Sequence, residues 1–234
     1  MKDIFLIRIV TQNEAYDRDW RMLSISRPTL LKKFYNFRVG VRFGSNLIEK
    51  HAAFLELVKG HGTGSVLLEP TQHEQVAILR LANIERKNAI SGRMMFDLAN
   101  IIDKITDDDS RVYSGLIVTG DGNIFCAGAD FGLAKEVLTT PEHGSAMSGF
   151  MSDALNALRS SDIVSVCLLN GPAVGGGAEI TTSCDFRLMT PASYATFIHA
   201  RMGVTPGWGA VGRLMSIVGR ANALKLLGKL PLAG

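Results

Sequence analysis

The stretch Gly171-Pro172-Ala173-Val174-Gly175-Gly176-Gly177-Ala178-Glu179 decides how this chain is interpreted. Three adjacent glycines follow an apolar run and open a predicted helix, so no side chains cover the backbone NH groups there. The positive end of the helix dipole lies at the same place. A loop of this kind predicts an oxyanion-binding site beside the Glu179 carboxylate. The alternative is that the glycines only let the helix pack tightly on a strand.

A second loop of small residues, Asn123-Ile124-Phe125-Cys126-Ala127-Gly128-Ala129-Asp130, precedes the first by about forty residues. It also follows a predicted apolar strand and can also present an uncovered NH group. Two such loops can hold one thioester oxygen from two sides. The pair therefore favours binding of an oxyanion over a packing role for the glycines alone.

Strand and helix patterns alternate along the chain, which indicates an α/β architecture with right-handed crossovers. Predicted strands cover 65–69 and 75–81, which form a hairpin, and then 113–119, 163–169, 186–189 and 194–197. The strand over 163–169 is expected to be buried. Ser91 and Thr140 are predicted helix caps, the second followed by Pro141. Predicted helices cover 47–58, 91–105, 140–160, 176–183, 211–218 and 220–227.

Composition permits one sizeable globular domain, since 47% of the 234 residues are hydrophobic and 20% are charged. The net charge of +3 is uneven: the first 60 residues hold 11 Lys and Arg against 6 Asp and Glu, and the remainder holds 14 against 16. Because residues 1–60 also show no sustained hydrophobic periodicity, they are predicted to be a partly flexible basic appendage, and residues 61–234 the core domain.

Several classes of function find no support in the sequence. The glycines lack the spacing of a dinucleotide fingerprint, and there is no Walker loop or nucleophile elbow. The five histidines and three cysteines lack metal-ligand spacing, and the basic residues are not interleaved with aromatic ones. No apolar run approaches the roughly 20 residues of a membrane span. We therefore expect no metal or cofactor, and no nucleic-acid or membrane partner.

The cysteines also indicate the cellular compartment of the protein. Cys126, Cys167 and Cys184 are odd in number and lie in apolar or small-residue surroundings, as reduced thiols of an intracellular protein do. The N-terminal arm contains acidic residues, which transit peptides avoid. A cytosolic location is predicted, with a mitochondrial one as the alternative.

Several motifs, in their order and spacing, resemble the crotonase (enoyl-CoA hydratase/isomerase) superfamily from about Ser65 to the C-terminus. The motifs are 125–130, 170–179, Cys184-Asp185-Phe186-Arg187 and Gly203-Val204-Thr205-Pro206-Gly207-Trp208-Gly209. Within the superfamily, segments 88–95, 181–191 and 197–203 are most similar to the ethylmalonyl-CoA decarboxylases. The resemblance implies a crotonase-type ββα spiral that acts on an acyl-CoA thioester through an enolate, without a metal or organic cofactor.

The resemblance also implies the site residues. The backbone NH groups of Ala129 and Gly176 would form the oxyanion hole, and Glu179 and His199 would be the catalytic side chains. The residues implied to contact CoA are Arg86, Lys87, Asn88, Ala89, Ala127, Gly128, Asp130 and Gly175. For Arg86 and Lys87 a cation facing the CoA phosphates and a cap on a turn are both open.

One departure from the family pattern concerns the choice of reaction. Hydratases of this family use two glutamates; Glu179 matches the first, but His199 stands where the second is expected. A histidine there is found in the decarboxylase pattern, where imidazole can orient a carboxylate or supply a proton. A structural histidine at a strand end is the alternative. Glu179 would repel a substrate carboxylate unless it is protonated or turned aside, so its role stays open.

The function implied is decarboxylation of ethylmalonyl-CoA, and of methylmalonyl-CoA as a second substrate. Hydration or isomerisation of an enoyl-CoA, and a non-catalytic CoA-binding remnant, are the alternatives. Family members continue beyond the helix at 220–227 with helices that cover the acyl pocket and build a trimer. A homotrimer is thus expected for a full-length relative, whereas this chain, as a fragment or isoform with that helical region missing, is expected to be monomeric or to aggregate.

Overall fold

The computed structural model describes residues 46–107 and 112–228. Most of the predicted basic appendage, residues 1–45, lies outside the described residues. The strands are β1 (Ser65–Pro70), β2 (Val76–Ala82), β3 (Gly115–Gly120), β4 (Val164–Leu169), β5 (Ala173–Val174), β6 (Phe186–Met189) and β7 (Ala195–Thr196). The helices are α1 (Leu47–Lys50), α2 (Ala52–Val58), α3 (Gly92–Asp107), α4 (Phe131–Glu136), α5 (Pro141–Ser160), α6 (Gly176–Thr181) and α7 (Ala210–Leu227), with 3-10 turns at Ile84–Arg86 and His199–Met202.

Five strands form one sheet in the order β1-β2-β3-β4-β6. The predicted hairpin is confirmed, since β1 and β2 pair antiparallel, whereas the other three pairs are parallel. Strands β5 and β7 form a separate parallel pair. The carboxyl ends of neighbouring parallel strands lie at one edge of a sheet. The loops that follow β3 and β4 therefore start side by side, and these are the two small-residue loops.

Helix α3 packs against α5 and against β1. Both predicted caps are confirmed: Ser91 Oγ accepts a hydrogen bond from Met94 N, and Thr140 Oγ1 accepts one from His143 N. Most of the largest fully buried side chains come from these helices, the sheet and the first loop: Met94, Met95, Ile102, Phe150, Met151, Leu155, Leu79, Leu81, Leu116 and Phe125. The core thus lies between the helices and one face of the sheet.

The predicted helix over 47–58 is two short helices, because the backbone breaks at His51 (φ −114°, ψ 21°). His51 Nε2 lies 2.7 Å from Asp153 Oδ2 of α5, and its ring meets Phe150 edge-on. Leu47 and Leu55 are buried in the main core. Residues 47–58, which the charge count assigns to the N-terminal segment, therefore pack on the core.

Two further details differ from the expectations. Strand β4 is buried on one face only, since Val164 is 49% and Leu168 36% exposed. The six-residue helix α4 was not predicted, although Asp130 before it is a typical cap. By contrast, the two predicted C-terminal helices over 211–218 and 220–227 are confirmed, because Gly219 between them has a non-helical backbone (φ 77°, ψ 160°) that divides α7 in two.

Candidate active site

The two small-residue loops are joined by backbone hydrogen bonds. Pro172 O accepts from the NH groups of Phe125 and Cys126, and Cys126 O accepts from Val174 N at 2.9 Å. The second loop then enters α6 through Gly175, whose φ of 55° favours glycine and whose NH donates to Thr196 O. The predicted pair of loops is thus one continuous structure.

A third segment, residues 84–90, holds the first loop from its other side. Lys87 O accepts from Ala127 N at 3.0 Å, and Ile90 N donates to Gly128 O at 2.7 Å. Lys87 and Asn88 are left-handed, with φ of 56° and 53°. The structure therefore brings the segment that the family resemblance implies for CoA contacts against the predicted oxyanion loop.

Within residues 46–107 and 112–228, the backbone NH groups of Ala129 and Gly176 donate to no acceptor. They lie on the two joined loops, and a Cβ atom built on Gly128 would be 3.1 Å from Gly176 N. Gly128 also has a φ of 102°, which side chains rarely adopt. A glycine at 128 thus keeps the space beside the Gly176 NH open. Two preorganised NH groups of this kind can stabilise one oxyanion.

The glycine triplet also serves close packing, the alternative noted from the sequence. A Cβ on Gly176 would lie 2.5 Å from Trp208 Cζ3, and one on Gly177 would lie 2.1 Å from Cys126 O. Both distances are far inside van der Waals contact. The two interpretations therefore hold together, because tight packing brings the loops close while the Gly176 NH stays free.

Glu179 is 1% exposed and has partners on both carboxylate oxygens. Its Oε2 accepts from Trp208 N at 2.8 Å and from Ala210 N at 3.2 Å. Its Oε1 lies 3.0 Å from His199 Nε2. The carboxylate is thus held by the turn at 208–210, which begins α7.

His199 follows β7 in a 3-10 turn, and its side chain is 12% exposed. While Nε2 faces Glu179, Nδ1 is buried and has no hydrogen-bond partner among the described residues. Imidazole offers a lone pair at this nitrogen when neutral and an NH donor when protonated. His199 can therefore hold a carboxylate or transfer a proton.

Arg213 belongs to the same cluster, and the sequence did not single it out. It is 5% exposed, and its guanidinium donates to Thr182 Oγ1, Asn156 Oδ1 and Trp208 O. Burial lowers the pKa of Arg213 to about 10, and the negative charge of Glu179 opposes this change. A cation at this pKa is still protonated at neutral pH. Arg213 has no local motif that could have identified it.

The residues implied for CoA binding differ in what they can offer a ligand. Arg86 and Lys87 are exposed, whereas the side chain of Asn88 is buried and donates to Asp121 O and Ile124 O. The carboxylate of Asp130 accepts from Gly132 N and Leu133 N and so caps α4. Asn88 and Asp130 therefore have their side chains engaged within the protein, and their backbone NH groups also donate internally, to Asn83 O and Ile90 O. A cavity of about 100 Å³ lies nearby, lined by His61, Gly62, Thr63, Arg86, Asp130, Gly132, Leu133 and Glu136.

The cysteines are free thiols, and all three are buried. Burial raises the pKa of Cys126 to about 12, and burial beside Cys184 raises the pKa of Cys167 well above its ordinary value. Such thiols carry almost no thiolate at neutral pH and are poor nucleophiles. In the part of the chain that the structure describes, no group of three His, Cys, Asp or Glu side chains could hold a metal ion. None of its helices is long and apolar enough to cross a membrane.

Comparison with known proteins identifies relatives of this site and fold. Residues 71–229 match the family model described as enoyl-CoA hydratase/isomerase. The ethylmalonyl-CoA decarboxylase of Rattus norvegicus is 43% identical over 164 residues, which are 70% of this chain and 54% of that protein. The Gallus gallus protein of the same name is 40% identical over 166 residues, or 71% and 54%. The chain thus spans about half the length of the curated relatives it matches.

Among solved structures, the enoyl-CoA hydratase of Bacillus anthracis superposes with a TM-score of 0.64. The match covers 70% of this chain and 62% of that one at 23% sequence identity. At this identity the likeness shows the fold alone, and that fold is the one implied by the motifs.

Proposed function

Because the chain belongs to the enoyl-CoA hydratase/isomerase family, we propose that it decarboxylates ethylmalonyl-CoA, and methylmalonyl-CoA as a second substrate, through a thioester enolate. The products are carbon dioxide and butyryl-CoA or propionyl-CoA. The observation that carries the choice of reaction is the pairing of Glu179 with His199 at 3.0 Å, which leaves an imidazole nitrogen free.

The thioester oxygen binds between the NH groups of Ala129 and Gly176, which lack other acceptors among the described residues. The bond between Cα and the substrate carboxylate then breaks, and carbon dioxide leaves. The electron pair of that bond moves into the Cα–carbonyl linkage, and the negative charge collects on the thioester oxygen. One donor of an oxyanion hole is typically worth about 3 to 4 kcal/mol of barrier.

The enolate is quenched by a proton at Cα. His199 supplies it from Nδ1 when the ring is protonated, and deprotonation leaves a neutral ring that still donates to Glu179 from Nε2. Before cleavage the same protonated ring attracts the substrate carboxylate. His199 therefore has a part in binding and in the final step.

The contacts of Glu179 favour decarboxylation over hydration. A hydratase of this family needs two carboxylates to place a water and move its proton. Here Oε2 of Glu179 is taken by two backbone NH groups, Oε1 faces His199, and there is no second glutamate at position 199. The same contacts turn the Glu179 carboxylate aside, which relieves the repulsion expected between it and a carboxylated substrate.

The names of the relatives support the same reaction. The rat and chicken proteins, 43% and 40% identical over the matched residues, are both named ethylmalonyl-CoA decarboxylase. A trimer is proposed for assembly only by analogy with the family.

The test is to give purified protein ethylmalonyl-CoA and crotonyl-CoA in separate reactions and to identify the products by mass spectrometry. Formation of butyryl-CoA from the first, with the second unchanged, is expected. Hydration of crotonyl-CoA with ethylmalonyl-CoA untouched would instead identify a hydratase. Binding of both thioesters without turnover would identify a non-catalytic protein.

A further inference from the structure

We infer that Arg213 is a positioning residue that compensates the buried charge of Glu179 and thereby allows a carboxylated thioester to bind beside it. This inference rests on the proposed decarboxylation, because only that reaction brings a substrate carboxylate close to Glu179.

Arg213 is connected to Glu179 by two short relays. In the first, Arg213 Nη2 donates to Trp208 O, and Trp208 N donates to Glu179 Oε2 at 2.8 Å. In the second, Arg213 Nε donates to Thr182 Oγ1 at 2.9 Å, and this hydroxyl donates to Glu179 O at 2.7 Å. The guanidinium thus holds both the turn that binds the Glu179 carboxylate and the end of the helix that carries it.

The charges of the cluster fit this arrangement. Arg213 is 5% exposed, and the described hydrogen-bond acceptors of its guanidinium are all neutral oxygens. Glu179 is 1% exposed; its Oε2 is bound by neutral NH groups, and its Oε1 faces His199, which is a counter-charge only while its ring is protonated. A buried charge without a counter-charge is strongly unfavourable. Arg213 and Glu179 bracket the same turn, and the Glu179 charge favours the protonated form of Arg213.

The consequence concerns the choice of ligand. Arg213 holds the turn at 208–210 whose NH groups turn the Glu179 carboxylate aside. Without Arg213, that carboxylate would repel a second carboxylate brought in on the substrate Cα. An uncharged acyl group would not feel this repulsion. Arg213 therefore determines whether malonyl-type thioesters are accepted, and it does so without touching them.

The experiment compares two ligands that differ by one carboxylate, ethylmalonyl-CoA and butyryl-CoA. Their dissociation constants are measured by rapid mixing before turnover and by calorimetry, respectively. In Arg213→Gln we expect the Kd for ethylmalonyl-CoA to rise about tenfold or more and that for butyryl-CoA to change less than about threefold. The double variant Arg213→Gln with Glu179→Gln should return the ratio of the two constants toward the wild-type value, because the uncompensated charge is gone.

Arg159→Gln is the matched control. Arg159 is a second cation of this region: it donates to Thr182 O at the end of the same helix and helps to lower the pKa of Arg213, but it belongs to neither relay to Glu179. The ratio of the two constants should not change. If Arg213→Gln does not fold, Arg213→Lys retains the charge while losing part of the hydrogen-bond network, and it should preserve the ratio even where both constants rise.

Two results overturn the inference and leave Arg213 with a purely structural role. The first is an unchanged ratio of the two dissociation constants in folded Arg213→Gln. The second is a ratio that shifts as much in Arg213→Lys as in Arg213→Gln. Failure of the proposed reaction gives a different result. In that case wild-type protein binds ethylmalonyl-CoA without forming butyryl-CoA, and the ratio of dissociation constants still tests the charge compensation.

Discussion

Replacing Gly177 by alanine tests whether the distance between the two oxyanion loops controls catalysis. The new Cβ would lie 2.1 Å from Cys126 O and 2.8 Å from Cys126 C, both of them backbone atoms, whereas ordinary contact begins at 3.4 Å. The loops must therefore separate by about 1 Å, and a misplacement of about 1 Å can cost roughly a hundredfold in rate. Overpacking of this kind also typically lowers the free energy of unfolding by about 1–3 kcal/mol.

The assay is the kcat for release of carbon dioxide from ethylmalonyl-CoA, measured on Gly177→Ala that is shown to be folded by circular dichroism. We expect a loss of about a hundredfold. Gly144→Ala is the control, because Gly144 lies in α5 and a Cβ there meets nothing within 4 Å. That variant should retain wild-type activity. A folded Gly177→Ala with more than about a tenth of the wild-type kcat would refute the role given to loop spacing.

The remaining predictions concern single side chains or NH groups. Gly176→Pro deletes one oxyanion donor and also places a Cβ against the Trp208 ring, so it should lower kcat about a hundredfold or more. A folded variant above about a tenth of the wild-type rate would exclude that donor. Glu179→Ala leaves the partners of a buried carboxylate unpaired and should lower the free energy of unfolding in urea by about 3–5 kcal/mol. A decrease of less than about 1 kcal/mol would contradict this prediction. His199→Glu should weaken decarboxylation and create trace hydration of crotonyl-CoA, while His199→Gln, which lacks the charge, should give no hydration; efficient hydration by wild-type protein would contradict both. The hydrogen bond from Arg80 holds the pKa of Glu69 below its ordinary 4.5, so this pair stabilises the fold above that pH and the stabilisation is lost as the pH falls through the folded-state pKa. The difference in unfolding free energy between wild type and Glu69→Gln should therefore be largest near neutral pH and shrink as the pH falls through the folded-state pKa of Glu69. A difference that does not depend on pH would contradict this origin.

The parts of the site that the sequence predicted are local in sequence. Each oxyanion loop is a run of small residues after a strand, and the parallel order β3-β4 places the two runs side by side. The caps Ser91 and Thr140 were predictable for the same reason, since a cap depends on residues three positions apart.

What the sequence did not reveal depends on contacts between distant residues. Trp208 N binds Glu179 across 29 positions, and Arg213 reaches Asn156 across 57. No spacing rule links such residues, so the cluster that turns Glu179 aside could not be derived from the pattern. Residue type is also ambiguous: the Asp130 carboxylate, implied to contact CoA, caps α4. Strand β4 has the apolar pattern of a buried strand although one face is exposed, because composition does not show what packs against it.

We propose that the protein releases carbon dioxide from a malonyl-type thioester through an enolate held by the NH groups of Ala129 and Gly176. This proposal is tested most directly with ethylmalonyl-CoA labelled with ¹³C in the free carboxylate and incubated with the protein in deuterated water. We expect labelled carbon dioxide together with butyryl-CoA that carries one deuterium at Cα, because the enolate is quenched by solvent-derived deuterium after the carboxylate has left. Butyryl-CoA without deuterium at Cα would exclude the enolate. Ethylmalonyl-CoA that is bound but returned intact would exclude decarboxylation.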